Sequence, residues 1–194
     1  WKNATEQDLW DVVSETAGID VGRIAGDYLN QPGFATVQIG KDGTISQHRY
    51  LTLGREAADL LWHIPLNVKY KEGDQIHEIT YLLDGEIGKI DLPEHVSWVL
   101  PDAGANGYYR WQIDPRHFQG LIHDMDELSD REKIGLLGNT EALLNAGELS
   151  LADFLAVVNR LLADPHPLVF LPALERVKAI GDDFVGVNNR EPFA

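Results

Sequence analysis

The hydrophobic period of this 194-residue chain changes twice, and that switch limits the fold more than any single residue does. Up to Gly33 the apolar residues recur at helical spacing. From Phe34 to Asp114 they fall in short, β-rich runs, and from Pro115 the helical spacing returns. Segregated blocks mean separate β and α units, not an alternating α/β fold. The expectation is therefore multi-domain, β then α. It comprises an antiparallel β-sandwich of about seven strands, a short N-terminal helical stub and a C-terminal α-helical, solenoid-like segment. The predicted boundaries are 1–33, 34–114 and 115–194.

Local signals support each block. Thr5 is placed to cap a first helix at the N–H of Asp8, Leu9, Trp10, Val12 and Val13 give it an apolar side, and Gly18 ends it. Asp20 caps a second, with Val21, Ile24, Ala25 and Tyr28 turned inward. "FATVQIG" and "TISQHRYL" are joined by the hairpin signal "GKDG". In "LLWHIPLNVKY" Pro65 predicts an edge position or a bulge. "HEITYLLDGEIGKIDL" reads as two strands around Asp84-Gly85, and "HVSWVL" and "GYYRWQID" complete the set. "PRHFQGLIHDMDEL" then reads as one helix, with Phe118, Leu121, Ile122 and Met125 on a face. Ser129 with Glu132 is a capping box for a helix running to Gly147. Ser150 with Asp153 opens another, and a fourth is predicted from near Pro172 to Gly181. The tail "VNNREPFA" has no periodicity.

Composition narrows function. With 31 acidic against 16 basic residues and a net charge of −15, the chain is unsuited to nucleic acid or to anionic membrane surfaces, and we expect neither as a partner. The absence of cysteine excludes disulfides, thiolate chemistry and cysteine-ligated zinc. It leaves the compartment open between cytoplasmic and membrane-associated or periplasmic. No apolar run approaches the ~20 residues that span a bilayer, and no stretch of the given sequence reads as a signal peptide. The chain opens on Trp1 in sequence that reads as already folded, so we expect a piece of a longer protein.

A search for chemistry comes back nearly empty. Helix-borne zinc sites need two histidines four residues apart, and none of His48, His63, His77, His95, His117, His123 and His166 is so spaced. "DMDELSD" lacks the glycine and ligand spacing of a calcium loop and reads as an acidic helix end and turn. No nucleophile elbow or phosphate loop occurs. Asn3-Ala4-Thr5 fits a glycosylation triplet, although capping accounts for Thr5. The remaining candidates are Tyr108, Tyr109, Arg110 and Trp111. In a strand, Tyr108, Arg110 and Gln112 face one way and Tyr109, Trp111 and Ile113 the other. The second set makes a core face, Arg110 belongs with the wetter one, and Gly104 and Gly107 serve the preceding turn.

Six segments in order resemble the aminopeptidase N family of zinc metallopeptidases: "NATEQDLW" (Asn3 to Trp10), "QPGF" (Gln31 to Phe34), "QHRYL" (Gln47 to Leu51), "WHIPL" (Trp62 to Leu66), "GYYRWQID" (Gly107 to Asp114) and "LLNAGELS" (Leu143 to Ser150). Departures from the family pattern are Tyr28 for Trp, Ala35 for Pro, Asp102 for Asn and Ile113 for Tyr. The resemblance implies a zinc-activated water with a glutamate base and the motifs H-E-x-x-H and G-x-M-E-N. None of these is in this sequence, so no catalytic or metal residue is assigned and the substrate-binding residues stay unknown.

The resemblance implies a non-catalytic segment that is inactive alone. It would hold the last helices of a catalytic domain, the whole sandwich and the first helices of a C-terminal domain. Its partners would be the rest of its own parent chain, with zinc as cofactor and peptides as substrates of that parent only. The alternative is a stand-alone sandwich-plus-helix binding module without activity. The two readings differ at the helical end. Leu151, Phe154, Leu155, Val158, Leu161 and Leu162 are expected to want neighbours, giving weak self-association of the isolated chain.

Overall fold

The computed structural model describes residues 3–184; the "VNNREPFA" tail lies outside them. α1 (Glu6–Ala17) starts at Thr5, whose hydroxyl accepts the Asp8 N–H at 3.2 Å while the Asp8 carboxylate accepts the Thr5 N–H at 2.7 Å. These bonds hold the exposed Asp8 carboxyl below its usual range. Gly18 closes the helix at φ 70°, a conformation open to glycine. α2 (Val21–Asn30) packs back on α1, with Gly22 close under Trp10. Neither helix fully buries a residue. The expected apolar side of α1 is thus mostly exposed, including Leu9 and Val12, because α2 is its chief neighbour. The inward set of α2 is half-buried, and Tyr28 touches the main core.

Among the described residues seven strands form two sheets. One has the order β5 (Ile87–Lys89), β2 (Thr44–Arg49), β1 (Ala35–Ile39), β7 (Arg110–Ile113). The other has β4 (Gln75–Leu83), β3 (Ile64–Glu72), β6 (Val96–Leu100). All pairs are antiparallel except β1 with β7, which run parallel, Val37 opposite Trp111. In the β1–β2 turn Gly43 has φ 79° and lies against the Ile90 carbonyl, leaving no room for a Cβ. The two strands around Asp84-Gly85 are β4 and β5; they belong to different sheets, so the turn carries the chain across the sandwich. Pro65 sits in the middle strand of its sheet, yet β6 joins β3 only from Lys69 onward. Its stretch of β3 therefore behaves as an edge, which is where proline is tolerated. The bulge lies further on, at Lys71/Glu72.

Alternation builds the core. Val37, Ile39, Ile45 and Trp111 from one sheet meet Ile64, Leu66, Val68 and Tyr70 from the other, all buried. Trp98 and Leu100, which pair with Lys71 and Lys69, point to the opposite face of β6 and are buried as well, because helices cover that face.

α3 (Pro115–His123) is capped by Asp114, with Pro115 in its first turn. Phe118, Leu121, Ile122 and Met125 are buried as expected, but the helix stops at His123 and a 3-10 turn, Met125–Glu127, follows. Asp124 leaves the helical path to accept bonds from Lys71 and the Trp98 indole. α4 (Asp130–Ala146) begins at the Ser129/Glu132 box and ends at Gly147, φ 76°. α5 (Leu151–Leu162) begins at Ser150. α6 runs Pro167–Phe184, starting earlier and ending later than the sequence reading. Pro167 rather than Pro172 fixes its first turn; Pro172 stands inside, beside the buried Val169 and Ala173. α4, α5 and α6 pack on one another. This buries Phe154, Val158 and Leu161, which were expected to lack neighbours, and leaves Leu151 and Leu155 exposed.

Candidate functional site

The Tyr108–Trp111 stretch does not form an open stacking platform. Tyr109 and Trp111 are buried, and burial pushes the Tyr109 phenol well above its usual range; its hydroxyl donates to the Pro101 carbonyl at 2.8 Å. Tyr108 is exposed, edge-on to Tyr28 and Phe34 at 5.7 and 5.6 Å between ring centres. Arg110 lies over the Phe34 ring at 5.4 Å. The preceding loop is fixed from within. Asp102 Oδ1 accepts the N–H groups of Asn106 and Gly107 at 3.0 and 2.8 Å, and burial raises its carboxyl pKa despite those bonds. Gly104 has φ 74°, and Gly107 is pressed against the Tyr109 ring.

The family-motif residues instead lock elements together. Gln47 is buried. Its amide donates to the carbonyls of Trp62 and Gly85, both at 2.8 Å, and accepts the Trp62 N–H at 3.0 Å. The "QHRYL" and "WHIPL" segments thus meet through one side chain. Asp27 on α2 accepts the His63 N–H at 2.7 Å and contacts His63 Nδ1 at 2.5 Å, tying the helical stub to β3.

The strongest polar assembly lies at the seam between sandwich and helices. Glu132, almost wholly buried, accepts from Lys69 Nζ at 2.5 Å, the Gly104 N–H at 3.0 Å, the Ser129 N–H at 2.9 Å and the Ser129 hydroxyl at 2.8 Å. Burial pushes its pKa up, but these donors outweigh it, and the net shift is downward. Next to it Lys71 bridges Asp124 at 2.8 Å and Glu127 at 2.7 Å, which raises the lysine pKa and lowers that of Asp124. Three acids of the "DMDELSD" segment are thus taken up, Asp124 and Glu127 by Lys71 of β3 and Asp126 by Arg160, which donates to it at 3.1 Å. Behind it Lys133 pairs with Asp164 at 2.7 Å, holding the Asp164 carboxyl below its usual range. Asn139 bonds both backbone groups of Trp111 at 2.9 Å. Sequence reading saw Ser129 and Glu132 as a cap and Gln47 as part of the "QHRYL" segment; Lys69 and Asn139 gave no local signal.

The histidines are dispersed among structural roles. His48 pairs with Glu148 at 3.1 Å, His77 stacks on Tyr70, and His117 is buried on α3. Among the described residues no group of three histidine or carboxylate side chains could hold a metal ion. These residues do not fit zinc, and no step is derived through it.

Residues 98–193 match the ERAP1-like C-terminal domain family, and along most of its length the chain is similar to proteins named as aminopeptidases. It is 28% identical over 178 residues to a leucyl aminopeptidase of Saccharolobus solfataricus, covering 90% of this chain and 21% of that one. It is 27% identical over 171 residues to the Tricorn protease-interacting factor F2 of Thermoplasma volcanium, covering 86% and 20%. It is 26% identical over 197 residues to the aminopeptidase N of Lactobacillus helveticus, covering 97% and 22%. The chain spans about a fifth of the length of these curated relatives.

Proposed function

We propose that this chain is a non-catalytic structural segment of a zinc-dependent aminopeptidase that removes N-terminal residues from peptides. Residues 1–33 would be the last helices of the catalytic domain, 34–114 the sandwich domain and 115–194 the first helices of the C-terminal domain. The sandwich would act as a rigid spacer between its two helical neighbours, and the partners of the segment would be the remainder of the same chain. Zinc and the peptide would be held elsewhere in the whole protein. The observation that carries this reading is the seam. Among the described residues the most deeply buried carboxylate, Glu132, is used to join α4 to β3 through Lys69.

Two experiments test it. The reading frame upstream of Trp1 should encode H-E-x-x-H and G-x-M-E-N in frame; a frame without them overturns the aminopeptidase reading. Deleting residues 34–114 from the full-length protein should abolish peptide turnover. Turnover that survives the deletion overturns the spacer role.

A further inference from the structure

A cleft of about 300 Å³ opens where the end of β7, the start of α3, the end of α4 and the start of α5 converge. That volume is at the lower limit of small-molecule sites, which begin near ~300 Å³. Trp111, Phe118, Leu143 and Leu149 give it apolar walls. Among the described residues, Glu148 and Asp153 are the charged ones lining it, and no lysine or arginine does.

Both carboxylates keep acceptor capacity. Glu148 Oε1 meets His48 at 3.1 Å and Oε2 accepts the Gln112 amide at 3.0 Å. Asp153 Oδ2 accepts the Ser150 hydroxyl at 2.7 Å, and Oδ1 accepts the Gln119 amide at 3.3 Å. Each oxygen therefore has one named donor and a second lone pair to offer. The donor chain across the outer sheet face also runs toward this point. Ser46 donates to Gln38, Gln38 to Gln112, and Gln112 to Glu148. The start of α5 is close by, and a helix N-terminus carries roughly half a positive charge. Two carboxylates outweigh that, so the cleft rejects anions and attracts cations. Its apolar walls then select a cation with a hydrocarbon stem.

We propose that this cleft binds a primary ammonium on a short aliphatic stem, with the ammonium between Glu148 and Asp153 and the stem against Trp111 and Phe118. The source could be a free alkylamine or a lysine side chain presented by a peptide. Both share the same recognition chemistry.

The test is a titration of the ¹⁵N-labelled 194-residue chain with n-butylamine, with Nα-acetyl-lysine amide, and with uncharged Nα-acetyl-norleucine amide. Saturable shifts of the Trp111 indole and the Gln112 and Gln119 side-chain amides are expected with an ammonium ligand and not with the norleucine analogue. Shifts with both amines assign free amines as ligands; shifts with the lysine amide alone assign a peptide side chain. Asp153→Asn and Glu148→Gln, each preserving shape, should weaken binding about tenfold, the loss that one charge-assisted hydrogen bond sets. The two variants guard against one of them failing to fold. Equal shifts with the norleucine analogue, no saturable shift with either amine, or wild-type binding by a folded variant would overturn the proposal.

Discussion

Asn139 of α4 grips the backbone of Trp111 on β7 at both ends of its peptide polarity. Its Oδ1 accepts the Trp111 N–H and its Nδ2 donates to the Trp111 carbonyl, each at 2.9 Å. Among the described residues β7 is an edge strand with no strand partner on its outer side. An edge exposes unpaired backbone groups, and here one amide side chain satisfies a pair of them inside the protein. Asn139→Ala should leave two buried backbone groups unpaired. At ~1–3 kcal/mol each, with part recovered by water, the expected loss is about 3 kcal/mol. Urea unfolding of the variant checks this; a midpoint unchanged from wild type would show that the bonds are replaceable.

Lys69 and Glu132 give the sign of the pH dependence. The folded-state pKa of Glu132 lies below its ordinary value, so its contribution is fully present above the unfolded glutamate pKa of ~4.3 and is lost as pH falls through the folded value. Asp124 and Asp164 act in the same direction. Glu132→Gln should cost about 3 kcal/mol at neutral pH, because it leaves the Lys69 ammonium beside a neutral amide, with the exposed Glu78 carboxylate at 3.8 Å as its remaining partner. It should also flatten the acid limb of the stability curve. Replacing the pair together, Lys69→Met with Glu132→Gln, should cost less than Glu132→Gln alone, since no ammonium is then stranded and the amide oxygen still offers an acceptor to the Gly104 or Ser129 N–H. Denaturant melts from pH 3 to pH 7 on the three proteins separate these outcomes.

The architecture was largely legible because it is written locally. The change of period at Phe34 and Pro115 matches where strands begin and end. The boxes at Thr5 and Ser129 and the glycine stops at Gly18 and Gly147 need only neighbours a few residues away. The misplacements have tertiary causes. The helix from Pro115 breaks at Asp124 because that carboxylate answers Lys71, 53 positions earlier in the chain. Pro172 looked like a helix start, yet α6 carries it inside, where burial of Val169 and Ala173 compensates for the missing donor. The seam was invisible for the same reason. Nothing near Lys69 marks it as the partner of a residue 63 positions away.

His117 supplies a second pH dependence, at higher pH. It is buried on α3, and burial holds its pKa below 6.5, so the folded state favours the neutral ring. The unfolded chain binds the proton more readily, so this stability is present above pH ~6.5 and declines as pH falls toward the folded value. His117→Gln should remove the dependence in that window while leaving the carboxylate limb below it. A titration of the His117 ring by NMR should show a midpoint below the ordinary imidazole value of ~6.5; an equal or higher midpoint would contradict the burial argument.

Two helical glycines should respond to alanine with opposite signs. Gly138 in α4 has open space where a Cβ would sit, so Gly138→Ala should gain about 0.5–1 kcal/mol from the better helix former. Gly120 in α3 packs directly on the Ser97 carbonyl of β6, and an added Cβ would collide with that backbone atom. Backbone cannot swing away as a side-chain tip can, so α3 must lift from β6, and the buried Leu121 and Trp98 lie at that same contact. Overpacking costs ~1–3 kcal/mol, which exceeds the propensity gain, so Gly120→Ala should be destabilising. Thermal melts of the two variants decide the point. Stabilisation of both would mean that α3 is not seated on β6 through Gly120.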